Sequence, residues 1–155
     1  MKFEMRALGR VYLPMHFKLH DKVSMSKLYF KVDTGADFTT ISKVELVRMG
    51  YTHDWIMRNA VTGDDHNVTT ATGDVHPVGI VQLPLVNFLE YEAINWPFRV
   101  LLGENRDFRN LLGRDLMAGF DYTFRNSTNA FEISRIGRFT PIHKFLPNQR
   151  VHEVN

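Results

Sequence analysis

Val11, Leu13, Met15, Phe17 and Leu19 alternate with Tyr12, Pro14, His16 and Lys18. A period of two puts each set of side chains on its own face of an extended chain, so this segment reads as a half-buried β-strand. Pro14 removes a ladder donor and predicts an edge or a bulge. After a turn at His20-Asp21-Lys22 the alternation returns, with Leu28, Phe30 and Val32 set against Lys27, Tyr29 and Lys31. This second strand ends at Asp33. Strand-like sequence with Gly and Pro breaks continues over residues 61–88 and in "PFRVLL", "FDYTF" and "FEISRI", with "RNSTN" as the turn between the last two. The near-copies "TGDDHNV" and "TGDVHPV" read as Gly-Asp turns, too short and too few for a repeat fold.

Helix signals are sparse. Ser42 and Glu45 have capping-box spacing, and Gly50 is placed to end that helix. "THDWIMRNA" can add a turn of helix, and the helix formers after Gly113 in "LLGRDLMAG" predict a short one. The sum is an all-β (mainly β) domain with one or two short helices, its sheet closed or folded over so that edges are not left open. Trp55 and Trp96 are expected in the core or an interface. The chain of 155 residues is long enough to bury one real core. No linker divides it. Residues 1–138 read as the domain and 139–155, with Pro141 and Pro147, as a C-terminal extension or arm. Phe145-Leu146 in that arm reads as an apolar clamp on the body rather than a self-cleavage site.

A net charge of +2, with both signs spread along the chain, points to neither nucleic acid nor a membrane as partner. There is no cysteine, which removes disulfides, Cys-based zinc sites and a thiol nucleophile. "MKFEMRALGRVYLPMHF" has no apolar core like that of a signal peptide, and no run reaches the length of a membrane span. The expected location is cytoplasmic.

The chemistry gathers where the second strand ends. "VDTGAD" carries Asp33 into a Gly turn, and Gly35 lets backbone approach that carboxylate closely. One aspartate alone does little. Two that face each other cannot both ionise easily, so one keeps a proton. The ionised partner then takes a proton from water while the protonated one polarises a carbonyl, which is general acid–base hydrolysis. Asp-Thr-Gly occurs once in this chain. Downstream comes "NLLGRDLM": two leucines, Gly113, Arg114 and Asp115.

"VDTGAD" followed by "LLGRDLM" resembles the retropepsin-like aspartic proteases, the single-domain, retroviral-type class. The two motifs stand in the family's order, and the resemblance orders the chain from about Val11 to Ile136, with only the two motifs matching closely. The resemblance implies a closed barrel with its active site at a homodimer interface, Asp33 as the catalytic residue, and a second Asp33 from a second copy. It implies loop support and dimer bracing by Thr34, Gly35, Ala36 and Gly113, and a structural ion pair between Asp37 and Arg114. Peptide or protein substrate would bind near Gly35 and Asp37, under a flap in "TTATGDVHPVGIV". Thr72, Gly73, Asp74 and Val75 would contact it there. Apolar side chains are the family's usual preference, and no cofactor is implied.

Two further readings stand beside this one. The fold can serve as a non-catalytic dimerising or peptide-binding module. Asp64, His66, Asp74 and His76 form two Asp-x-His sets, which could converge on a metal. Solvated turn residues are far commoner, so no metal is expected. The sequons at Asn67 and Asn126 read as plain turn residues.

Overall fold

The computed structural model describes residues 1–18, 25–69, 72–89, 91–103 and 109–136. The alternating segment forms β2 (Tyr12–Lys18), after a short β1 (Lys2–Glu4), and pairs antiparallel with β3 (Met25–Val32). Val11, Leu13, Met15 and Phe17 are buried, as the alternation requires. β4 (Thr40–Ser42) follows the Asp33 turn. After the helical segment come three short strands, β5 (Val61–Thr62), β6 (Val68–Thr69) and β7 (Val75–His76). The two longest strands, β8 (Val78–Phe88) and β9 (Tyr91–Leu101), form an antiparallel hairpin. β10 (Leu111–Leu112), β11 (Phe120–Arg125) and β12 (Ala130–Arg135) complete the set.

Six strands close on themselves in the order β2-β3-β10-β4-β9-β8, and β8 returns to β2. That last ladder runs from Met15↔Phe88 to Lys18↔Leu85. It begins one residue after Pro14, which has no N–H to donate, so the proline sits where one side of the strand is no longer paired. Closure is completed by short ladders, since β10 covers only Lys31–Val32 of β3 and β4 only Arg99–Leu101 of β9. β1, β12 and β11 make a separate three-stranded sheet, in which Phe124 and Phe131 meet with ring centroids 4.9 Å apart.

The β8–β9 hairpin is longer than the sequence pattern suggests. Its ladder runs from Val78↔Leu101 to Phe88↔Tyr91 and misses one pair, Pro84 with Asn95. Pro84 lacks a donor, and Asn95 takes a left-handed conformation with φ 54°. Ile94 is exposed next to it, and the burial alternation of the strand breaks at Asn95.

Three short α-helices are present among the described residues: α1 (Lys43–Met49), α2 (His53–Asn59) and α3 (Arg114–Met117). Ser42 Oγ accepts the Glu45 N–H at 3.2 Å, and Gly50 closes α1 with φ 112°. Only this half of the capping box forms. The Ser42 N–H donates instead to Asn110 Oδ1, and the Glu45 carboxylate pairs with Arg48. Thr52 caps α2 in the same way. No helix among the described residues is long and apolar enough to cross a membrane. The expected turn at residues 20–22 and the arm at 139–155 lie outside the described residues.

The barrel interior is aromatic. Phe98 lies 5.5 Å from Phe17 and 6.4 Å from Phe30, and all three rings are fully buried, as is Trp96. Phe98→Ala is therefore expected to cost about 3–5 kcal/mol of stability in equilibrium urea unfolding, and a loss below about 1 kcal/mol would contradict this packing.

Candidate active site

The Val32 side chain points into the core, so strand parity turns Lys31 and Asp33 outward. The turn after β3 then fixes the carboxylate. The Asp33 N–H donates to the Leu112 carbonyl at 3.0 Å, and the Ala36 N–H donates to the Asp33 carbonyl at 3.1 Å. Asp33 Oδ1 accepts the Gly35 N–H at 3.0 Å. A Cβ on Gly35 would stand 3.3 Å from that oxygen, closer than it tolerates easily, so glycine keeps the turn tight. Asp33 remains half-exposed, and Thr34 beside it is exposed.

The β10–α3 element grips this loop from behind. The Arg114 N–H donates to the Ala36 carbonyl at 2.9 Å, and the Asp115 N–H to the Asp37 carbonyl at 3.1 Å. The guanidinium of Arg114 bonds the Asp37 carboxylate, and both side chains are largely exposed. Deeper in, Asp115 Oδ1 accepts the Thr39 N–H at 2.9 Å, the Thr39 hydroxyl at 2.6 Å and the Leu116 N–H at 2.8 Å. Thr39 Oγ1 in turn accepts the Gly113 N–H at 3.1 Å. Gly113 has an ordinary φ of −93°, and space alone demands glycine there. A Cβ would lie 2.4 Å from the Phe38 carbonyl carbon.

Burial pushes the Asp115 carboxyl above the ordinary range, and the hydrogen bonds from Thr39 and Leu116 pull against it. Burial pushes Arg99 down, opposed by the charges of Asp115 and Asp37. The Arg99 guanidinium stacks 3.8 Å over the Phe38 ring, and its Nη1 donates to the His66 carbonyl at 3.4 Å. Arg99 thus ties the turn at Asp64–His66 to the loop that carries Asp33.

The hairpin read as a flap is built as a two-stranded sheet apart from the barrel. Val68↔His76 and Thr69↔Val75 pair in it. Gly73, with φ 89°, sits in the turn, where the Thr72 hydroxyl donates to Asp74 Oδ2 at 3.2 Å. Val75 is 61% exposed, an apolar side chain with no packing to explain it. Thr72, Gly73, Asp74 and Val75 therefore share one tip.

The two Asp-x-His sets do not share an environment. His66 is buried below Arg99, whereas Asp74 is exposed at the tip. Among the described residues no group of three or more His, Asp or Glu side chains is placed to hold a metal ion. Thr39, Asp115 and Arg99 carry the site's support, and the sequence alone does not reveal it. Asp115 stands inside "LLGRDLM", but nothing local marks it as buried. The Arg99 signal is weak: it is the polar member of an alternating run between Phe98 and Val100.

No family model matches the chain, and no curated protein matches it. Solved structures do. A retropepsin-like aspartic protease from Rickettsia conorii aligns at 21% identity and a TM-score of 0.60, covering 86% of this chain and 97% of that one. The retroviral protease-like domain of Ddi1 from Leishmania major aligns at 17% identity and a TM-score of 0.49, covering 82% and 90%. The chain has a retropepsin-like fold: mainly β, with a closed barrel and few short helices.

The raised Asp115 carboxyl carries a stability signature. A folded-state pKa above the unfolded one favours the protonated fold, so the contribution is present below the ordinary value of 3.8 and is lost as pH rises through the folded value. Asp115→Asn keeps an acceptor for Thr39 and Leu116 and removes the charge. Its unfolding free energy should vary less with pH above 4 than that of the wild type, and at pH 7 it should be no less stable. Urea titrations at a series of pH values test this, and a variant markedly less stable at neutral pH would contradict it.

Proposed function

We propose that the protein is an aspartic endopeptidase that cuts peptide bonds with two Asp33 carboxylates, one from each copy of a homodimer. The observation that carries this reading is the gripped Asp-Thr-Gly loop. Its single outward carboxylate is oriented by Gly35 and braced through Gly113 and Asp115. A half-exposed aspartate held this firmly is prepared for a partner, and the chain has one such triplet. The Thr34 side chain is exposed next to it, available for a bond to the same loop of a second copy. Symmetric pairing of this kind is the commonest form of homo-oligomer.

In the dimer one Asp33 is ionised and the other protonated, because like charges at short range raise each other's proton affinity. The ionised carboxylate takes a proton from a water molecule lying between them. The water oxygen attacks the peptide carbonyl carbon, and the protonated carboxyl hydrogen-bonds the developing oxyanion. Collapse of the tetrahedral species breaks the C–N bond, and the proton carried by the dyad passes to the leaving amine. Gly35 and the Asp37–Arg114 pair line the wall beside the scissile bond. Thr72, Gly73, Asp74 and Val75 close over the peptide as a flap, which excludes water and holds the chain extended.

Asp33→Asn should lower turnover of an unfolded protein substrate by at least about a thousandfold, since an amide cannot act as the base. Circular dichroism and the sedimentation coefficient should stay as in the wild type. Wild-type activity should fall on dilution in step with dimer dissociation. Near-normal turnover by the variant, or full activity in a proven monomer, would contradict the mechanism. Peptide binding without cleavage at any pH would favour the non-catalytic module instead.

A further inference from the structure

The outward face of β2 and β3 changes character near Asp33. Lys31 shares the Asp33 face two residues earlier, about 7 Å along the strand. Tyr12 stands directly opposite Lys31 in the ladder, with side chains about 5 Å apart. The Tyr12 ring collects cations. The Arg6 guanidinium lies over it at 4.9 Å, and Arg109 Nη1 donates to its hydroxyl at 3.0 Å. Arg10 is brought to the same place by a tight loop, in which the Arg6 N–H donates to the Arg10 carbonyl at 2.7 Å. Desolvation acts to raise the Tyr12 phenol, yet the Arg109 hydrogen bond and the charges of Arg109 and Arg10 outweigh it and hold the phenol below its ordinary value. Among the described residues no carboxylate forms an ion pair with Arg6, Arg10, Lys31 or Arg109. Four of the chain's 19 Lys and Arg residues thus stand on or beside the Tyr12–Lys31 pair. Charge is being concentrated at one spot.

We infer that this cluster is a specificity site that receives an acidic side chain of the peptide held at Asp33. The inference rests on the proposed proteolysis and departs from the apolar preference the family resemblance implies. Reach supports it. An extended peptide rises about 3.3 Å per residue, so a cluster about 7–10 Å from Asp33 meets the side chain two or three residues from the scissile bond. In a symmetric dimer the cluster occurs twice, so Glu or Asp is favoured at that distance on both sides of the cut. Arg109 and Lys31 supply the charge-assisted hydrogen bonds. The Tyr12 hydroxyl, already held by Arg109, fixes the geometry. The cluster is compact, unlike the extended basic stripe that a nucleic-acid backbone requires.

The test uses two peptides that differ only by Glu or Gln at the second and third residues either side of one cleavage site. Wild-type kcat/KM should be about tenfold higher for the Glu peptide at low salt. The difference should shrink towards parity near 1 M salt, where the screening length is about 3 Å. The double variant with Lys31→Gln and Arg109→Gln should bring the ratio to about twofold or less, and Arg109→Glu should turn the preference towards a Lys-bearing peptide. Equal kcat/KM for both peptides in the wild type overturns the specificity site and leaves proteolysis standing. If neither peptide is cut, proteolysis falls, and fluorescence anisotropy of the labelled pair on the Asp33→Asn protein decides the cluster. Tighter binding of the Glu peptide, lost in the double variant, supports it; equal binding overturns it. Displacement of the Glu peptide by single-stranded oligothymidylate at equal or lower concentration overturns it as well, assigning the charge to nucleic acid.

Discussion

One buried carboxylate oxygen holds the site together. Asp115 Oδ1 accepts from the Thr39 amide, the Thr39 hydroxyl and the Leu116 amide, joining segments 76 residues apart. Taking a carboxylate out of water is costly, and three donors on one oxygen offset that cost only while the geometry holds. The geometry is enforced from the other side by Gly113, which lets β10 lie against the Phe38–Thr39 backbone with no room for a side chain. Because the clasp cannot slide, the Ala36 and Asp37 carbonyls meet the first amides of α3, and Asp33 is aimed outward from a fixed frame.

Much of this frame is legible in the sequence where local rules decide the outcome. The alternation of residues 11–17 becomes a barrel strand, Ser42 caps a helix, Gly50 ends it, and Gly73 takes the left-handed turn of a hairpin. Asp37 and Arg114 pair as the motif resemblance implies. Other features are settled by distant partners and leave no local trace. β1 is three residues long and exists because residues 130–132 lie beside it. β9 runs through the Glu92–Asn95 stretch even though Ile94 faces solvent and Asn95 leaves the extended region. Asp115 looks like a surface residue, and only the folded chain brings Thr39 to it.

The same frame connects the loop to what surrounds it. Arg99 lies across Phe38 and reaches the His66 carbonyl, so the base of the candidate flap and the Asp33 loop share one half-buried cation. Motion of the hairpin would therefore be felt where the carboxylate is aimed. On the other side, the ladder between β2 and β3 sets Tyr12 and its arginines beside the same carboxylate. A single chain thus carries the outward Asp33 carboxylate, a candidate lid and a charged wall, and in the proposed reading a second copy supplies the other carboxylate.

The separation of the two Asp33 carboxylates in the assembled particle decides whether a second copy completes the site. A crystal structure of the full-length protein grown under conditions where it sediments as a dimer supplies the measurement. The nearest carboxylate oxygens are expected at hydrogen-bonding distance, about 2.5–3.0 Å, across a two-fold axis. A dimer that holds them beyond about 6 Å, too far to share a proton, would contradict it.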